Sequence, residues 1–481
     1  MLPMWILVTA TAIVIAVMLA FAFGRRHARR LQRDTGVRIE RYKMKRRHDE
    51  IALEVFGSRE VVEAIKGYAR ARRIAIADAE RQARVYLDEI LPRFNLLAYY
   101  RVATPVSAAV LKTLYRITVD KGPLRHYGER IPKGTTVVWV LNHRSDLDPF
   151  LVTYALSRYV SVSYAVGEWA QFWPLNQLFR LCGAYFIRRR YRETLYHAIL
   201  KVFVQTITRN GVTQAFFIEG GLSRDGAFQK PKLGMLDYLV SSKRSPGFTT
   251  PLFLVPAAVN FDRVLEDRAL TSELLGVAER PSLARKLWTT FVFTAKNLGR
   301  IATGRLRRYG SAAVSFGEPI LVDQYIAEHQ RILSPEYEER KPDLEGLADL
   351  IMTRISGCMP VIPVPLVASI FAEAGGAMTE EEIVAAIARK REEMAKRVWA
   401  VENARTLESP ATHIWRVAQK VLRLRRLIVE HEGRWRWNPE DIVLRDYYAN
   451  SLLDWSAVRA RGWPAREKVE KTEGVVPVRA T

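Results

Sequence analysis

Cysteine is nearly absent. Cys182 and Cys358 are the only two in 481 residues, which supports neither a disulfide framework nor a cysteine-based metal site. Acidic residues are also in deficit, 51 Asp+Glu against 74 Lys+Arg. The net charge of +23 favours phosphate-bearing partners, either nucleic acid or an anionic lipid surface. A third absence separates those two. Residues 1–24 carry no charged side chain, and from Met4 to Phe23 they are almost wholly apolar, about the length that crosses a bilayer core. Arg25, Arg26, His27, Arg29, Arg30 and Arg33 follow at once, and positive charge on that flank predicts that everything downstream lies on the cytoplasmic side. A cleaved leader would carry its charge before the apolar run, so the segment reads as a single-pass anchor in a cell (inner) membrane. Nucleic-acid binding would need basic residues along one face with interleaved aromatics, or a known module. None is legible, and no nucleic-acid partner is expected.

The remaining composition, 49% hydrophobic and 26% charged, is that of a globular protein too long for one ordinary core. Between Arg46 and Leu91 proline is missing and glycine occurs only at 57 and 67, while Val61, Ile65 and Tyr68 recur at helical spacing. Residues 25–125 therefore read as a helical region, a hairpin or packing unit without chemistry of its own. From about 130 the texture changes. Strand-like runs at 135–141, 160–166, 214–218, 252–260 and 312–316 alternate with helical patterns at 192–208 and 233–242. That alternation predicts an α/β domain over 126–330, a mixed sheet flanked by helices. Residues 331–465 read as helical again, with a strong candidate at 379–406 opened by the capping-box pair Thr379 and Glu382. Residues 466–481 are expected to lack structure.

The chemistry concentrates where the first of those strands ends, in Trp139-Val140-Leu141-Asn142-His143-Arg144-Ser145-Asp146-Leu147-Asp148. A histidine at a strand exit can take a proton from a hydroxyl, and an aspartate five residues on can hold the ring in one tautomer. None of the other seven histidines has an aspartate at that offset, although on composition a chance pair is roughly a one-in-three event. A capping role for Ser145 and Asp148 at a helix start is compatible with the same spacing.

Three further blocks share the sheet-end setting. Gly183-Ala184-Tyr185-Phe186-Ile187-Arg188-Arg189-Arg190 is a small-residue turn, a short strand and three arginines, whose forks suit phosphate oxygens or simply a basic surface. In Phe216-Phe217-Ile218-Glu219-Gly220-Gly221-Leu222-Ser223-Arg224, a strand ends in a carboxylate and a double glycine lets backbone approach a ligand. Lys230 and Lys232 follow. The last block is the strand around Val255-Pro256-Ala257-Ala258-Val259, where proline shapes an edge or pocket wall.

In this order and spacing the four blocks resemble the glycerophosphate acyltransferase superfamily, and the Phe-Ile-Arg-Arg form of the second resembles its glycerol-3-phosphate acyltransferase branch. The stretch Arg445-Asp446-Tyr447-Tyr448-Ala449-Asn450-Ser451 is similar to that branch as well. The resemblance covers about residues 130–320. It implies His143 and Asp148 as catalytic, and Arg144, Ser145, Arg188, Arg189, Glu219, Gly220, Arg224, Lys232 and Pro256 as substrate-binding. It implies a fatty acyl thioester, acyl-CoA or acyl carrier protein, as donor and glycerol 3-phosphate as acceptor, with no metal and no resident cofactor. Backbone N–H groups at the mouth of the following helix are expected to steady the oxyanion. One departure stands out: Leu222 occupies the place of the family's first arginine in Glu-Gly-x-Arg-Ser-Arg, a charge-assisted contact worth about 1.5–3 kcal/mol. Another phosphorylated-alcohol acceptor such as lysophosphatidate, or a catalytically silent membrane scaffold, therefore stays open beside the main reading. Oligomeric state is not legible in the sequence.

Overall fold

The computed structural model describes residues 47–95, 98–120, 131–132, 134–157, 160–167, 175–188, 191–275, 308–397 and 405–463. The expected anchor at 1–24, the tail at 466–481 and Arg189 lie outside them. Among the described residues no helix is long and apolar enough to cross a membrane.

Eight strands form the central sheet: β1 (Arg116–Val119), β2 (Thr136–Leu141), β3 (Ser163–Gly167), β4 (Tyr185–Ile187), β5 (Gln214–Phe217), β6 (Leu252–Phe261), β7 (Ser311–Phe316) and β8 (Ile320–Leu321). Their order is β1-β7-β6-β2-β5-β3-β4, with β8 also on β6. β6, β2, β5, β3 and β4 run parallel. β7 is antiparallel to β6, and β1 is parallel to β7. The sheet is mixed, as the alternation predicted, but it begins at Arg116, before the expected boundary at 126. β2 lies between β5 and β6 with all six residues buried, which explains an unbroken apolar run in place of alternation. Trp139 at its centre is 1% exposed and meets Phe316 edge-on at 5.2 Å between ring centroids.

Pro256 sits in mid-strand rather than near the strand's start. Its carbonyl accepts from Gly317 N at 2.8 Å, so the polar edge of this residue faces away from β2. The missing N–H falls where the antiparallel neighbour of β6 changes from β8 to β7, and no ladder bond is lost.

Helices flank the sheet. Thr194–Arg209 and Leu233–Ser241 lie within two residues of their expected bounds. Before the sheet, the helices His48–Gly57, Arg59–Arg72 and Ile76–Ile90 all pack on Thr194–Arg209, and the helix Thr104–Leu114, led by a π-helical turn at Ala98–Ala103, packs on Asp148–Leu156. At the other end, the capping box at Thr379 is formed: Thr379 N donates to Glu382 Oε2 (2.8 Å) and Glu382 N to Thr379 Oγ1 (3.2 Å), opening the helix Glu380–Arg397.

The C-terminal region also holds a three-stranded antiparallel sheet that the helical reading missed, of β9 (Met378–Thr379), β10 (Ile428–His431) and β11 (Arg434–Trp437). Its signal was present. Arg-Trp-Arg-Trp alternates exposed and buried, and Glu432 and Gly433 both turn left-handed, as a two-residue hairpin requires. One contiguous apolar core runs from Ile51 to Val458, so the helical flanks share it with the sheet.

Candidate functional site

Five parallel strands end on one edge, and β2 leads into it. Asn142 fixes the exit by gripping β6, donating to Val259 O (3.1 Å) and accepting from Val259 N (2.8 Å). His143 follows, 5% exposed, its ring stacked on Phe217 at 3.9 Å and 13°. Its Nδ1 lies 2.9 Å from Asp148 Oδ2, with Nδ1–H donating. That same oxygen accepts from Arg144 N (2.6 Å) and Ser145 N (3.1 Å). Three donors on one carboxylate oxygen set the ring in the tautomer whose Nε2 carries the lone pair.

The helix begins at Asp148 itself, not at Ser145. Ser145 Oγ accepts from Leu147 N (3.2 Å) and donates to Glu266 Oε2 (2.9 Å), while Asp148 N donates to Ser145 O (3.0 Å). This corrects one expectation. The N–H groups of Arg144, Ser145, Leu147 and Asp148 are all bonded within the turn, so the helix mouth does not offer them to an oxyanion.

Glu219 stands beside the pair as a clamp on backbone. Oε1 accepts from His143 N (2.9 Å) and Oε2 from Gln229 N (2.8 Å). Gly220 turns the chain with φ +68°, and a Cβ there would sit 2.8 Å from Lys232 Cγ, so the stem of Lys232 lies over this turn. Lys232 itself is exposed and precedes the helix Leu233–Ser241.

The arginines are placed differently. Arg144 is 2% exposed and points into the protein, donating to Gly226 O and to Ser451 O (3.3 Å), with its cation 5.9 Å from the Phe228 ring centroid. Arg188 makes a two-pronged ion pair with Glu89, 2.7 and 2.6 Å, and its cation lies over Tyr191. It ends β4, three strands from β2, about 14 Å away at ordinary strand spacing. Arg224 pairs with Glu273 at 3.0 Å on the surface. Leu222 is partly buried and packs against the core. The structure thus gathers His143, Asp148, Arg144, Ser145, Glu219, Gly220 and Lys232, keeps Pro256 in the strand beside Val140, and sets Arg188 and Arg224 on other carboxylates.

Burial dominates the electrostatics. It pushes Asp148 up to about 8, opposed by the Ser145 and Arg144 N–H groups and by the Arg144 cation. Burial raises Glu219 to about 7 against the pull of Arg144. Glu266 rises to about 7, from burial and then from the charge of Asp146. Glu266, Gln229, Tyr447 and Ser451 were not anticipated at this edge. They come from other segments, and only the likeness of the 445–451 stretch to a glycerol-3-phosphate branch pointed towards two of them. Among the described residues no group of three or more His, Cys, Asp or Glu is placed to hold a metal ion.

Comparison with known proteins bears on the same segments. A family profile described as Acyltransferase matches residues 123–259, and one described as Glycerol-3-phosphate acyltransferase C-terminal region matches residues 295–461. The glycerol-3-phosphate acyltransferase of Baumannia cicadellinicola is 28% identical over 377 residues, 74% of this chain and 42% of that protein. That of Aeromonas hydrophila is 30% identical over 342 residues, 69% and 40%. That of Alteromonas mediterranea is 26% identical over 424 residues, 85% and 50%. The aligned part thus spans half or less of the length of these relatives. A solved 1-acyl-sn-glycerophosphate acyltransferase from Thermotoga maritima is matched at 17% identity over 64% of this chain and 95% of that one, with a TM-score of 0.31, too low for structural inference. An acyltransferase domain is thus followed by a match to the C-terminal region of the glycerol-3-phosphate enzymes, and over much of its length the chain is similar to glycerol-3-phosphate acyltransferases.

Proposed function

We propose that this chain is a membrane-bound O-acyltransferase that moves a fatty acyl group from an acyl thioester to the sn-1 hydroxyl of glycerol 3-phosphate, the first step of phospholipid synthesis. The observation that carries the reading is the His143–Asp148 contact, 2.9 Å and buried, at the edge where the parallel strands end. In this reaction His143 Nε2 takes the hydroxyl proton as the acceptor oxygen attacks the thioester carbonyl. The new C–O bond forms, the C–S bond breaks, and the leaving thiolate recovers the proton from the imidazolium. Asp148 keeps the ring oriented and balances its charge. No covalent acyl-enzyme is needed, and the two free cysteines are not in the His143 turn. The donor is acyl-CoA or acyl carrier protein, with no resident cofactor.

Phosphate recognition falls to the cations Lys232, Arg188 and Arg224, with Arg189 as a further candidate from its place in the sequence motif. Two of them are paired with Glu89 and Glu273, which the phosphate would have to displace. The net charge of +23 and the apolar run at 1–24 support a site held at an anionic membrane surface, on its cytoplasmic side. Leu222 favours keeping a second acceptor in view, another phosphorylated alcohol such as lysophosphatidate.

The test is thiol release from a long-chain acyl thioester by detergent-purified protein, each acceptor and donor type offered separately, beside His143→Ala. Turnover with glycerol 3-phosphate that vanishes in the variant supports the proposal. Turnover with a different acceptor moves the substrate and keeps the mechanism. Silence with all of them, from protein shown to be folded, favours a membrane scaffold.

A further inference from the structure

A buried arginine with no carboxylate bonded to its fork is costly, because distant charges only partly replace the water it leaves. Arg144 is such a residue: Glu219 and Asp148 feel its charge, but neither bonds its guanidinium. Among the described residues its guanidinium bonds only to the carbonyls of Gly226 and Ser451, and its Nε is buried without a partner. Ser451 is the C-cap of the helix Ile442–Asn450, so the cation sits at the negative end of that helix.

The helix is seated there by more than this contact. Asn450 Nδ2 donates to Asp225 O at 2.8 Å. Gly226, at φ +80°, touches the helix backbone so closely that a Cβ would lie 1.7 Å from Tyr447 O. The same Arg144 offers its backbone N–H to Asp148 Oδ2 at 2.6 Å. One residue thus holds the catalytic aspartate with its main chain and the C-terminal region with its side chain.

We propose that Arg144 is a positioning residue through which docking of the Ile442–Asn450 helix sets the His143–Asp148 pair, and not the substrate-binding cation that its place in the motif suggests. The proposal rests on the acyltransferase reading for its kinetic consequence and on the geometry alone for its structural one. It makes the C-terminal region part of the catalytic unit.

The experiment uses full-length protein and two variants that open the seam from opposite sides. Arg144→Met removes the fork and keeps an apolar stem, and Gly226→Ala pushes the helix off while leaving Arg144 in place. Three quantities are read: kcat and KM for each substrate, hydrogen exchange over 442–450, and the downfield NMR signal of the His143 Nδ1–H. In both variants kcat is expected to fall about 10- to 100-fold with KM for both substrates within about two-fold of the parent. Exchange over 442–450 should quicken and the Nδ1–H signal should broaden or vanish, and the double variant should be no worse than the poorer single. A rise in acceptor KM with kcat unchanged in Arg144→Met would restore the substrate-binding role and overturn the proposal. An Nδ1–H signal that persists in both variants while 442–450 exchanges faster would overturn it too. If the parent protein turns over no thioester, the acyltransferase reading fails, and the Nδ1–H signal still decides whether the helix sets the pair.

Discussion

His143 and Arg188 end parallel strands of one sheet, yet their surroundings differ in kind. His143 is held by Asp148, five residues on, within a turn where the N–H groups of Arg144, Ser145, Leu147 and Asp148 are already bonded, and it is 5% exposed. Arg188 has a side chain 32% exposed and is held by Glu89, ninety-nine residues earlier in the chain, from a helix outside the sheet. Arg224 repeats the second pattern with Glu273. The buried pair is a local construction with little freedom to change partners. The cationic rim is an assembly of exchangeable ion pairs, as a surface that must release one anion to take another would be.

Substitutions can break or sharpen that contrast. The largest effect is expected from Asp148→Asn, which replaces an acceptor of three N–H donors by a group that must itself donate. Thioester turnover should fall about 10²–10⁴-fold, and a fall of only a few-fold would remove Asp148 from the mechanism. Glu219→Gln comes next. Its amide cannot accept from both His143 N and Gln229 N, and denaturant unfolding should show a loss of about 1–3 kcal/mol.

The buried carboxyls also give the site a pH signature. Glu219 and Glu266 rise from an ordinary 4.5 to about 7 on folding, so the native state binds more protons across that window. Their contribution to stability is fully present below the unfolded value and is lost as pH rises through about 7. Urea midpoints compared at about pH 5 and about pH 8 should fall with pH, and fall less in Glu266→Gln; an unchanged slope in that variant would assign the effect elsewhere. The smallest effect is expected from Arg188→Ala, at most about 1 kcal/mol in unfolding because the pair is partly exposed. A large rise in acceptor KM in that variant would show that Glu89 yields the fork to a phosphate, and the rim would then rank with the buried pair in function.

Much of this was legible without coordinates. Period and composition marked the buried strands, because a strand covered on both faces must be apolar throughout, as β2 is. The His143–Asp148 spacing named the pair because five residues of turn suffice to bring the two side chains together. The Thr379 capping box read correctly for the same reason: both partners lie within one helical turn. The three-stranded sheet at β9–β11 was overlooked although its hairpin turn was in plain sight, because neighbouring helical periodicity was extended across it.

What sequence alone determined here is local: an apolar first segment flanked by arginines, the strand–helix alternation, the His143–Asp148 pair and the departure at Leu222. Tertiary structure decided the partners of the long side chains around the site. Arg188 chose Glu89, Glu219 chose the main chain of His143 and Gln229, and Arg144 turned from the substrate edge towards Gly226 and Ser451. The physical reason is reach. A short side chain on a tight turn has one place to go, whereas an arginine can swing to whichever acceptor the packing of distant segments brings within range, and that packing is written nowhere near it in the chain.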